Sequence, residues 1–243
     1  MKEKTVVAII QAHMSSSRLP GKILKDLCGK PALYRMIERV RQSKRISRIV
    51  LATSTMECDD ILEELCREWG VDCFRGSDDD VLMRFVGAAK AFPSEYYARL
   101  TSDCPLIAPR ETDEMIEAFL SKNARYGRYE QDHYINGTDV ELFTAELLME
   151  AAEKAIEKYE HEHVTPYMYW KQDSQMTHVQ WKDGKRYRIT LDTAEDLELI
   201  RSVYNALYTE GNTFTLKEII DFLDTHPEVF ALNKDVHQKS AKE

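Results

Sequence analysis

Strand-like apolar runs alternate with helix-like apolar stripes four times in the first half of this chain. The runs cover residues 5–10, 48–54, 71–74 and 96–100. After the first run, apolar residues recur at helical spacing at Leu33, Met36, Ile37 and Val40, and similar stripes follow each later run. This alternation is typical of a mainly parallel sheet with helices on both faces. We therefore predict a three-layer α/β fold whose ligands lie beyond the carboxyl ends of the strands.

The pattern changes after about residue 123. Residues 123–143 are rich in tyrosine, and Asn136-Gly137 is typical of a tight turn between short antiparallel strands. Helical stripes then return, and residues 186–191 form a late strand-like run. We predict one domain over residues 1–232, a small antiparallel insertion at 123–143, and a polar tail at 233–243. The insertion contains Tyr126, Tyr129 and Tyr134. We interpret these tyrosines as packing residues or as part of a dimer face.

Charge and cysteine content narrow the class of protein. The net charge is −9, whereas a general nucleic-acid binder usually carries a basic stripe. No apolar run approaches the ~18–20 residues that span a bilayer, and the N-terminus lacks the pattern of a signal peptide. The five cysteines are odd in number and none has CxxC spacing, which favours reduced thiols. We expect a cytoplasmic protein without nucleic-acid or membrane partners, in which a local basic cluster can still bind an anionic small ligand.

The first strand opens into a polar loop, QAHMSSSRLPGK, at residues 11–22. Its three serines supply hydroxyl and backbone donors, and Gly21 allows a ligand to approach the backbone closely. Arg18 supplies a planar fork for an anion, and Lys22 supplies a mobile positive charge. These groups suit a phosphate, although the loop matches neither GxxxxGK[ST] nor GxGxxG. On the residues alone, a loop of solvated polar side chains remains the alternative.

Two aspartates follow strand-like runs at the same predicted edge of the sheet. Asp103 comes just after residues 96–100, and Asp192 comes just after residues 186–191. Carboxylates in such positions can hold Mg²⁺ against the phosphate oxygens of a ligand. The alternative for either is a helix N-cap, although Thr193 is the better cap. Three further acids precede a helix-like stripe, at Asp78, Asp79 and Asp80. They can stabilise the start of that helix, or they can contact the ligand.

Six blocks of the sequence, in order, resemble one enzyme family. The first, AIIQAHMSSSRLPGKILKDLCGKPAL at 8–33, resembles the start of the cytidylyltransferases that activate acidic sugars, in particular the spore-coat-polysaccharide type. The CMP-octulosonate and CMP-sialic acid synthetases are more distant relatives of that type. The other blocks are GSDDDVLMRF at 76–85, RLTSDCPLI at 99–107, NGTDVELF at 136–143, EHEHVTPYMY at 160–169 and LDTAEDLELI at 191–200. Together they extend over most of residues 5–205.

The resemblance implies a Rossmann-like nucleotidyltransferase sheet and a Mg²⁺-dependent reaction. CTP and an acidic or phosphorylated acceptor would give a CMP-linked product and pyrophosphate, in polysaccharide or glycan biosynthesis. In the related synthetases the insertion pairs two subunits, which predicts a homodimer. The resemblance also implies a set of nucleotide-binding residues: Gln11, Ala12, His13, Ser16, Ser17, Arg18, Lys22, Gly76 and Ser77. Catalytic roles fall to Arg18, Lys22 and Asp103, metal binding to Asp103 and Asp192, and acceptor binding to Arg99, Asp139, Glu141 and His163.

The chain departs from the family's pattern at His13, where the family usually has arginine. A neutral histidine can donate a hydrogen bond but lacks a permanent charge, so the nucleotide preference stays open. The alternatives are another sugar nucleotidyltransferase or a glycosyltransferase on a similar sheet, or a catalytically weak nucleotide-binding protein. Arg99 is likewise open to two interpretations, because it can grip an acidic acceptor or tie down the neighbouring loop.

Overall fold

A seven-stranded sheet forms the centre of the computed structural model, which describes residues 5–129, 135–170, 176–177, 187–211 and 213–237. The strands are β1 (Val6–Gln11), β2 (Asp26–Leu27), β3 (Lys30–Pro31), β4 (Ile46–Ser54), β5 (Asp72–Gly76), β6 (Tyr96–Thr101), β7 (Tyr126–Gly127), β8 (Glu141–Thr144) and β9 (Met176–Thr177). The described sheet has the order β5-β4-β1-β6-β8-β7-β9, and β2 and β3 form a separate antiparallel ribbon. Strands β5, β4, β1 and β6 are mutually parallel, whereas β8 runs antiparallel to β6 and β7. The predicted α/β fold with a mainly parallel sheet is confirmed.

Helices cover both faces of the sheet. They are α1 (Ala32–Val40), α2 (Asp60–Trp69), α3 (Val81–Ala91), α4 (Pro109–Ser121), α5 (Ala145–Lys154), α6 (Lys158–His163), α7 (Pro166–Trp170), α8 (Ala194–Leu207), α9 (Leu216–Thr225) and α10 (Pro227–Phe230). Alternate residues of β1 point to opposite faces, as a strand requires. Ala8 and Ile10 pack with α1, α2 and α4, whereas Val7 and Ile9 pack with α3 and α5. None of the described helices combines the length and apolarity needed to cross a lipid bilayer.

A third apolar cluster joins α8 and α9 to the ribbon and to the loop after β6. Arg39 of α1 is 1% exposed and ties these parts together. Its Nε donates to the carbonyl of Ile107 at 2.6 Å, and its Nη1 donates to the carbonyl of Phe214 at 3.0 Å. Burial lowers the pKa of Arg39, although an arginine stays charged at any ordinary pH. The C-terminal part of the chain is thereby anchored to the loop that carries Asp103.

The late strand-like run forms less sheet than we predicted. Residues 187–191 are extended, but their ladder contact is a single isolated bridge between Arg188 and Asn136. Gly137 makes the approach possible, since its φ is +108° and a Cβ there would lie 2.6 Å from the backbone of Ile189. The Leu191 N–H donates to the carbonyl of Asp103 at 2.7 Å. The extended segment thus brings the next residue, Asp192, alongside the loop after β6.

The predicted antiparallel insertion is present as the pairing of β7 with β8. Tyr126 and Tyr129 are buried, at 1% and 5% exposure, which supports the packing interpretation for these two. Tyr134 lies outside the described residues. The division into a domain at 1–232 and a tail at 233–243 stays a prediction, and the structure adds that Asn233 at its boundary is buried.

Candidate active site

The two predicted metal-binding aspartates meet at one ammonium group. Lys22 Nζ donates to Asp103 Oδ2 at 2.9 Å and to Asp192 Oδ1 at 2.8 Å. Lys22 follows the loop after β1, Asp103 follows β6, and Asp192 precedes α8. Three segments that are distant in the sequence therefore converge at the carboxyl edge of the parallel strands, where α/β sheets bind ligands.

Lys22 and Asp103 hold each other ionised at this junction. Burial alone favours the neutral amine of Lys22, but Asp103 and Asp192 together hold its pKa above the usual value. Burial alone would likewise raise the pKa of Asp103, yet Lys22 and a hydrogen bond from Thr101 hold it below the usual value. The ammonium group of Lys22 thus forms salt bridges with both aspartates.

Asp192 has two further cationic partners. Arg18 Nη2 lies 2.9 Å from Asp192 Oδ2, and Arg188 Nη2 donates to the same oxygen at 2.9 Å. Arg188 also pairs with Asp196, which forms a capping box with Thr193 at the start of α8. Thr193 is therefore the N-cap of α8, as the sequence favoured over Asp192. Arg188 was not among the sequence-predicted site residues, because its position in a strand-like run hides its pairing across the turn.

The loop after β1 is held by a buried carboxylate that the sequence analysis did not identify. Asp59 is 1% exposed and accepts a hydrogen bond from the Met14 N–H at 2.7 Å and one from the Ser54 hydroxyl. In the sequence, Asp59 stands among the acids of a helix start, which gave no sign of this role. Gly21 has a φ of +64° and begins the short 3-10 helix Lys22–Leu24, so the turn that presents Lys22 favours glycine.

The remaining predicted nucleotide-binding residues of this loop lie between the end of β1 and Lys22 in the chain. Gln11 ends β1, and buried Ala12 donates its N–H to the carbonyl of Ala52 at 3.1 Å. His13 is exposed, with its Nδ1 2.9 Å from the Ser15 hydroxyl. Desolvation by the surrounding loops and the charge of Lys22 lower the pKa of His13, so it is neutral near pH 7. The other two predicted residues, on the same stretch of loop, are Ser16 and Ser17.

A second loop, after β5, carries the predicted residues Gly76 and Ser77. Arg84 of α3 is buried and donates to the carbonyls of Ser77 at 2.8 Å and Asp78 at 3.0 Å. A Cβ on Gly76 would lie 2.9 Å from Arg84 Cγ, so glycine lets the arginine pass beneath the loop. Asp80 caps α3 by accepting from the Met83 N–H at 2.9 Å, which confirms the helix-start interpretation for this acid.

Arg99 links the nucleotide side of the site to the predicted acceptor side. Its Nε donates to Gln11 Oε1 at 2.9 Å, and its Nη1 pairs with Glu141. Glu141 also accepts hydrogen bonds from the hydroxyls of Tyr126 and Thr165. Arg99 of β6 therefore links β1 and β8, and neither of these partners belongs to the neighbouring loop that one of our two interpretations named. Its contact with an acceptor stays a prediction.

Asp139 carries the most perturbed carboxyl of the acceptor side. Burial, together with the charges of Glu141 and Asp103, raises the pKa of Asp139 to about 7. Its Oδ2 accepts a hydrogen bond from the Gly137 N–H at 3.0 Å, which opposes the shift without cancelling it. The backbone of His163 is connected to Glu141, since its carbonyl accepts from the Thr165 N–H and the Thr165 hydroxyl donates to Glu141. Glu141 thus links Arg99, the backbone of His163 and, through its charge, Asp139.

The paired aspartates suit a magnesium ion that is shared with a ligand. Among the described residues, no cluster of three or more acidic, histidine or cysteine side chains offers a complete protein cage for a metal. Mg²⁺ rarely uses one, because it usually binds one or two carboxylates together with substrate phosphates and water. Asp103 and Asp192 present oxygens within hydrogen-bonding distance of a single point, now taken by Lys22 Nζ. The donor set therefore fits Mg²⁺ bound together with a phosphate ligand.

Comparisons with known proteins show which family the chain resembles in sequence and fold. The family model for cytidylyltransferases matches residues 7–237. The spore coat polysaccharide biosynthesis protein SpsF of Bacillus subtilis is 35% identical over 237 residues, which cover 92% of this chain and 95% of that protein. A cytidylyltransferase structure from Leptospira borgpetersenii matches with a TM-score of 0.89 and 31% identity, over 97% of this chain and 100% of that one.

A more distant structure shares the fold alone. CMP:2-keto-3-deoxy-manno-octonic acid synthetase complexed with CTP matches with a TM-score of 0.64 and 17% identity, over 84% of this chain and 100% of that one. The family model spans the loop after β1, both aspartates and the C-terminal helices. By its sequence and its fold, this chain belongs to the cytidylyltransferase family.

Proposed function

We propose that this cytidylyltransferase couples CMP from CTP to an acidic sugar or phosphorylated acceptor, with release of pyrophosphate and dependence on Mg²⁺. Its place in polysaccharide or sugar-nucleotide biosynthesis follows from its family and from the likeness to SpsF. The observation that carries the finer proposal is Lys22 between Asp103 and Asp192, beside Arg18. One pocket edge thus holds the cations that suit a triphosphate and the carboxylates that suit its metal.

Lys22 and Arg18 can pair either with the aspartates of the site or with the phosphate groups of a bound nucleotide. In the structure, Lys22 pairs with Asp103 and Asp192, and Arg18 pairs with Asp192. Mg²⁺ bound at the aspartates would neutralise them instead and shield the phosphate charge. Lys22 and Arg18 would then be released to the β- and γ-phosphate oxygens, while Arg188 stays on Asp192 because it also pairs with buried Asp196.

The reaction then needs positioning and charge stabilisation rather than a covalent enzyme intermediate. A hydroxyl or phosphate oxygen of the acceptor attacks the α-phosphorus in line and forms the new O–P bond, and a hydroxyl acceptor loses its proton to water. The bond between the α-phosphorus and the bridging oxygen to the β-phosphorus breaks, and its electrons leave with pyrophosphate. Lys22 and Arg18 stabilise the negative charge that develops on that leaving group.

The acceptor side suits an acidic molecule because it carries less negative charge than its sequence implies. Arg99 neutralises Glu141, and the raised pKa of Asp139 keeps a large part of that carboxyl protonated near pH 7. A protonated carboxyl can donate a hydrogen bond to an acceptor oxygen, whereas an ionised one would repel it. An acidic sugar or a phosphorylated acceptor is therefore the class that we propose for this side.

A pyrophosphate-release screen tests the proposal directly. Four nucleoside triphosphates are combined with a panel of acidic sugars and phosphorylated compounds, with Mg²⁺ and with EDTA. We expect release with CTP, Mg²⁺ and an acidic acceptor, and none in EDTA. Release with UTP or dTTP in place of CTP would contradict the proposal and favour another sugar nucleotidyltransferase.

A second function, nucleotide binding with little catalysis, is favoured by one residue. His13 stands where the resemblance implied arginine, and its lowered pKa leaves it uncharged near pH 7. Thermal stabilisation by CTP without pyrophosphate release from any acceptor would support this alternative. The cytoplasmic location and the homodimer remain proposals from the sequence, and the mass of the protein in solution tests the latter.

A further inference from the structure

The last described segment of the chain is anchored by a polar side chain. Within residues 226–237, Asn233 is the one buried residue, at 4% exposure. Two large apolar residues that precede it, Phe230 and Leu232, are each 39% exposed. Because apolar burial here is incomplete, the polar contacts of Asn233 contribute to the attachment of the segment, beside the packing of Val229.

Asn233 contacts the polar network that holds Asp192. Its Nδ2 donates to Asp196 Oδ1 at 2.8 Å and to the carbonyl of Arg188 at 3.0 Å. Asp196 is fully buried and accepts from Arg188 Nε and Nη2, each at 2.9 Å. Arg188 Nη2 also donates to Asp192 Oδ2, and the Asp192 N–H donates to Asp196 Oδ2. Asn233 and Asp192 therefore share two hydrogen-bonding partners, Arg188 and Asp196.

One carboxylate oxygen of Asp196 is shared between Asn233 and Arg188. Asp196 Oδ1 accepts hydrogen bonds from Arg188 Nε and Asn233 Nδ2. If the amide is lost, a buried carboxylate oxygen loses one of its donors, and such a loss is costly in a low-dielectric interior. Arg188 Nε already donates to that oxygen, so loss of the amide would leave Asp196 Oδ1 more dependent on the arginine. Because the same guanidinium donates to Asp192 Oδ2 at 2.9 Å, a shift of Arg188 within this pair would be passed on to the Asp192 carboxylate.

The C-terminal segment that contains Asn233 lies near Arg18 of the loop after β1. A cavity of about 490 Å³ separates Arg18 from the segment. Its other lining residues are Thr193, Glu195, Leu232, Asp235, Val236 and His237. The segment that Asn233 anchors therefore borders the cation proposed to bind the triphosphate as well as the carboxylate proposed to bind the metal.

We propose that Asn233 is a positioning residue for Asp192, through which the C-terminal segment sets the affinity of the site for a divalent metal bound with nucleotide. This inference rests on the proposed function, because Asp192 must be a metal ligand for its orientation to matter. Outer contacts of metal ligands commonly change metal affinity 10–100-fold when they are removed. Asn233→Ala should thus weaken metal binding by about tenfold.

The experiment compares full-length wild type with Asn233→Ala and with Val229→Ala as a matched control. Val229 lies in the same segment and packs against the third apolar cluster, so its truncation loosens the segment without touching the polar network. Mn²⁺ serves as the probe, and electron paramagnetic resonance measures free Mn²⁺ during titration of the protein saturated with CTP. CTP affinity in EDTA is measured in parallel.

We expect Asn233→Ala to bind Mn²⁺ about tenfold more weakly than wild type, with CTP affinity in EDTA within about twofold. Val229→Ala should keep both affinities within about twofold. Wild-type Mn²⁺ affinity in Asn233→Ala, or an equal loss in Val229→Ala, would overturn the inference and leave the proposed function intact. Absence of Mn²⁺ binding by wild type with CTP would instead reject the proposed metal site, and the inference with it.

A milder variant covers the case in which Asn233→Ala does not fold. Asn233→Ser keeps one hydroxyl donor in place of the two amide hydrogens. Its loss of Mn²⁺ affinity should be smaller than tenfold but larger than that of Val229→Ala. A folded Asn233→Ser protein that binds Mn²⁺ no more weakly than Val229→Ala would overturn the inference.

Discussion

At the scale of single residues, Lys22 joins the two halves of the proposed site. It is 8% exposed, and its ammonium is shared between Asp103 and Asp192. A buried ion pair of this kind is weak evidence for stability, since desolvation of the charges offsets much of their attraction. The ion pair matters instead because it positions one cation and two carboxylates at the edge of the sheet where a nucleotide would bind.

Replacement of Lys22 by methionine should impair catalysis far more than binding of the acceptor. The variant loses the cation that stabilises the leaving pyrophosphate, an effect of about 2–4 kcal/mol by comparison with the loss of one stabilising donor. We expect pyrophosphate release to fall on the order of 10²–10³-fold. Lys30→Met, which removes an exposed lysine nearby in the chain, should stay close to wild type. Turnover of Lys22→Met within a few-fold of wild type would contradict the assigned role.

Asp139 makes the stability of the protein depend on pH. Its folded-state pKa of about 7 lies above the ordinary value of 3.8. As pH rises from about 4 to about 7, the unfolded chain releases this proton while the folded chain retains it. The contribution of Asp139 to the free energy of unfolding therefore falls across that window.

Asp139→Asn removes this dependence, because an amide does not titrate. The free energy of unfolding of the variant relative to wild type should increase between pH 4.5 and pH 7.5. Urea unfolding at both pH values measures the difference, and Glu64→Gln at an exposed position is the control. A relative stability that is flat or that falls over this interval would show that Asp139 is ionised in the folded protein.

At the scale of elements, the loop after β1 depends on an anchor outside its own sequence. Asp59 begins the turn into α2, yet it holds the backbone of Met14 and the hydroxyl of Ser54. Gly21 then sets the left-handed turn from which Lys22 enters its short helix. The loop is therefore held at both ends in the conformation that presents its cations.

Asp59→Ala should loosen the loop and weaken nucleotide binding. The Met14 N–H would lose its acceptor, and an unsatisfied buried donor costs about 1–3 kcal/mol. We expect CTP affinity, measured by calorimetry, to fall by about tenfold on this scale. Asp60→Ala, one residue along and paired with Arg75 at 2.6 Å, is the matched control and should retain wild-type affinity. Equal effects of the two variants would argue against a specific anchor at Asp59.

At the scale of the whole molecule, the alternation of apolar runs and stripes predicts the parallel sheet and the edge at which ligands bind. Local rules also predict the cap of α8, because a cap depends on near neighbours in the sequence. The burial of Tyr126 and Tyr129 depends on more distant partners, since Tyr126 donates to Glu141 and Tyr129 donates to the carbonyl of Glu111. The extended segment 187–191 was predicted as a strand from its pattern. It forms a single bridge with the turn at Asn136 and Gly137 instead, since its partners are the turn and the Asp103 loop.

The supporting contacts of the site were beyond sequence reasoning for a physical reason. Asp59 with Met14, and Asn233 with Arg188, are each 45 residues apart in the chain. No periodicity relates such residues, and each has an ordinary local explanation as a helix-start acid or a tail amide. The resemblance located the loop, the aspartates and the acceptor blocks, whereas the network that orients them needs the three-dimensional structure.

The exchange of partners at Lys22 predicts that metal and nucleotide bind together. Mg²⁺ alone would displace Lys22 from the aspartates without offering it a new anion, and CTP alone would take Lys22 and leave two carboxylates facing phosphate. Each ligand therefore binds well when the other is present, which is a coupling of binding free energies.

The measurement that tests this account most directly is calorimetric titration of CTP into the wild-type protein, once with Mg²⁺ and once with EDTA. The account predicts CTP affinity at least about tenfold higher with Mg²⁺, which corresponds to about 1.4 kcal/mol of coupling, and weak binding of Mg²⁺ in the absence of CTP. Equal CTP affinity under the two conditions would contradict a site that Asp103, Asp192 and Lys22 share between metal and nucleotide.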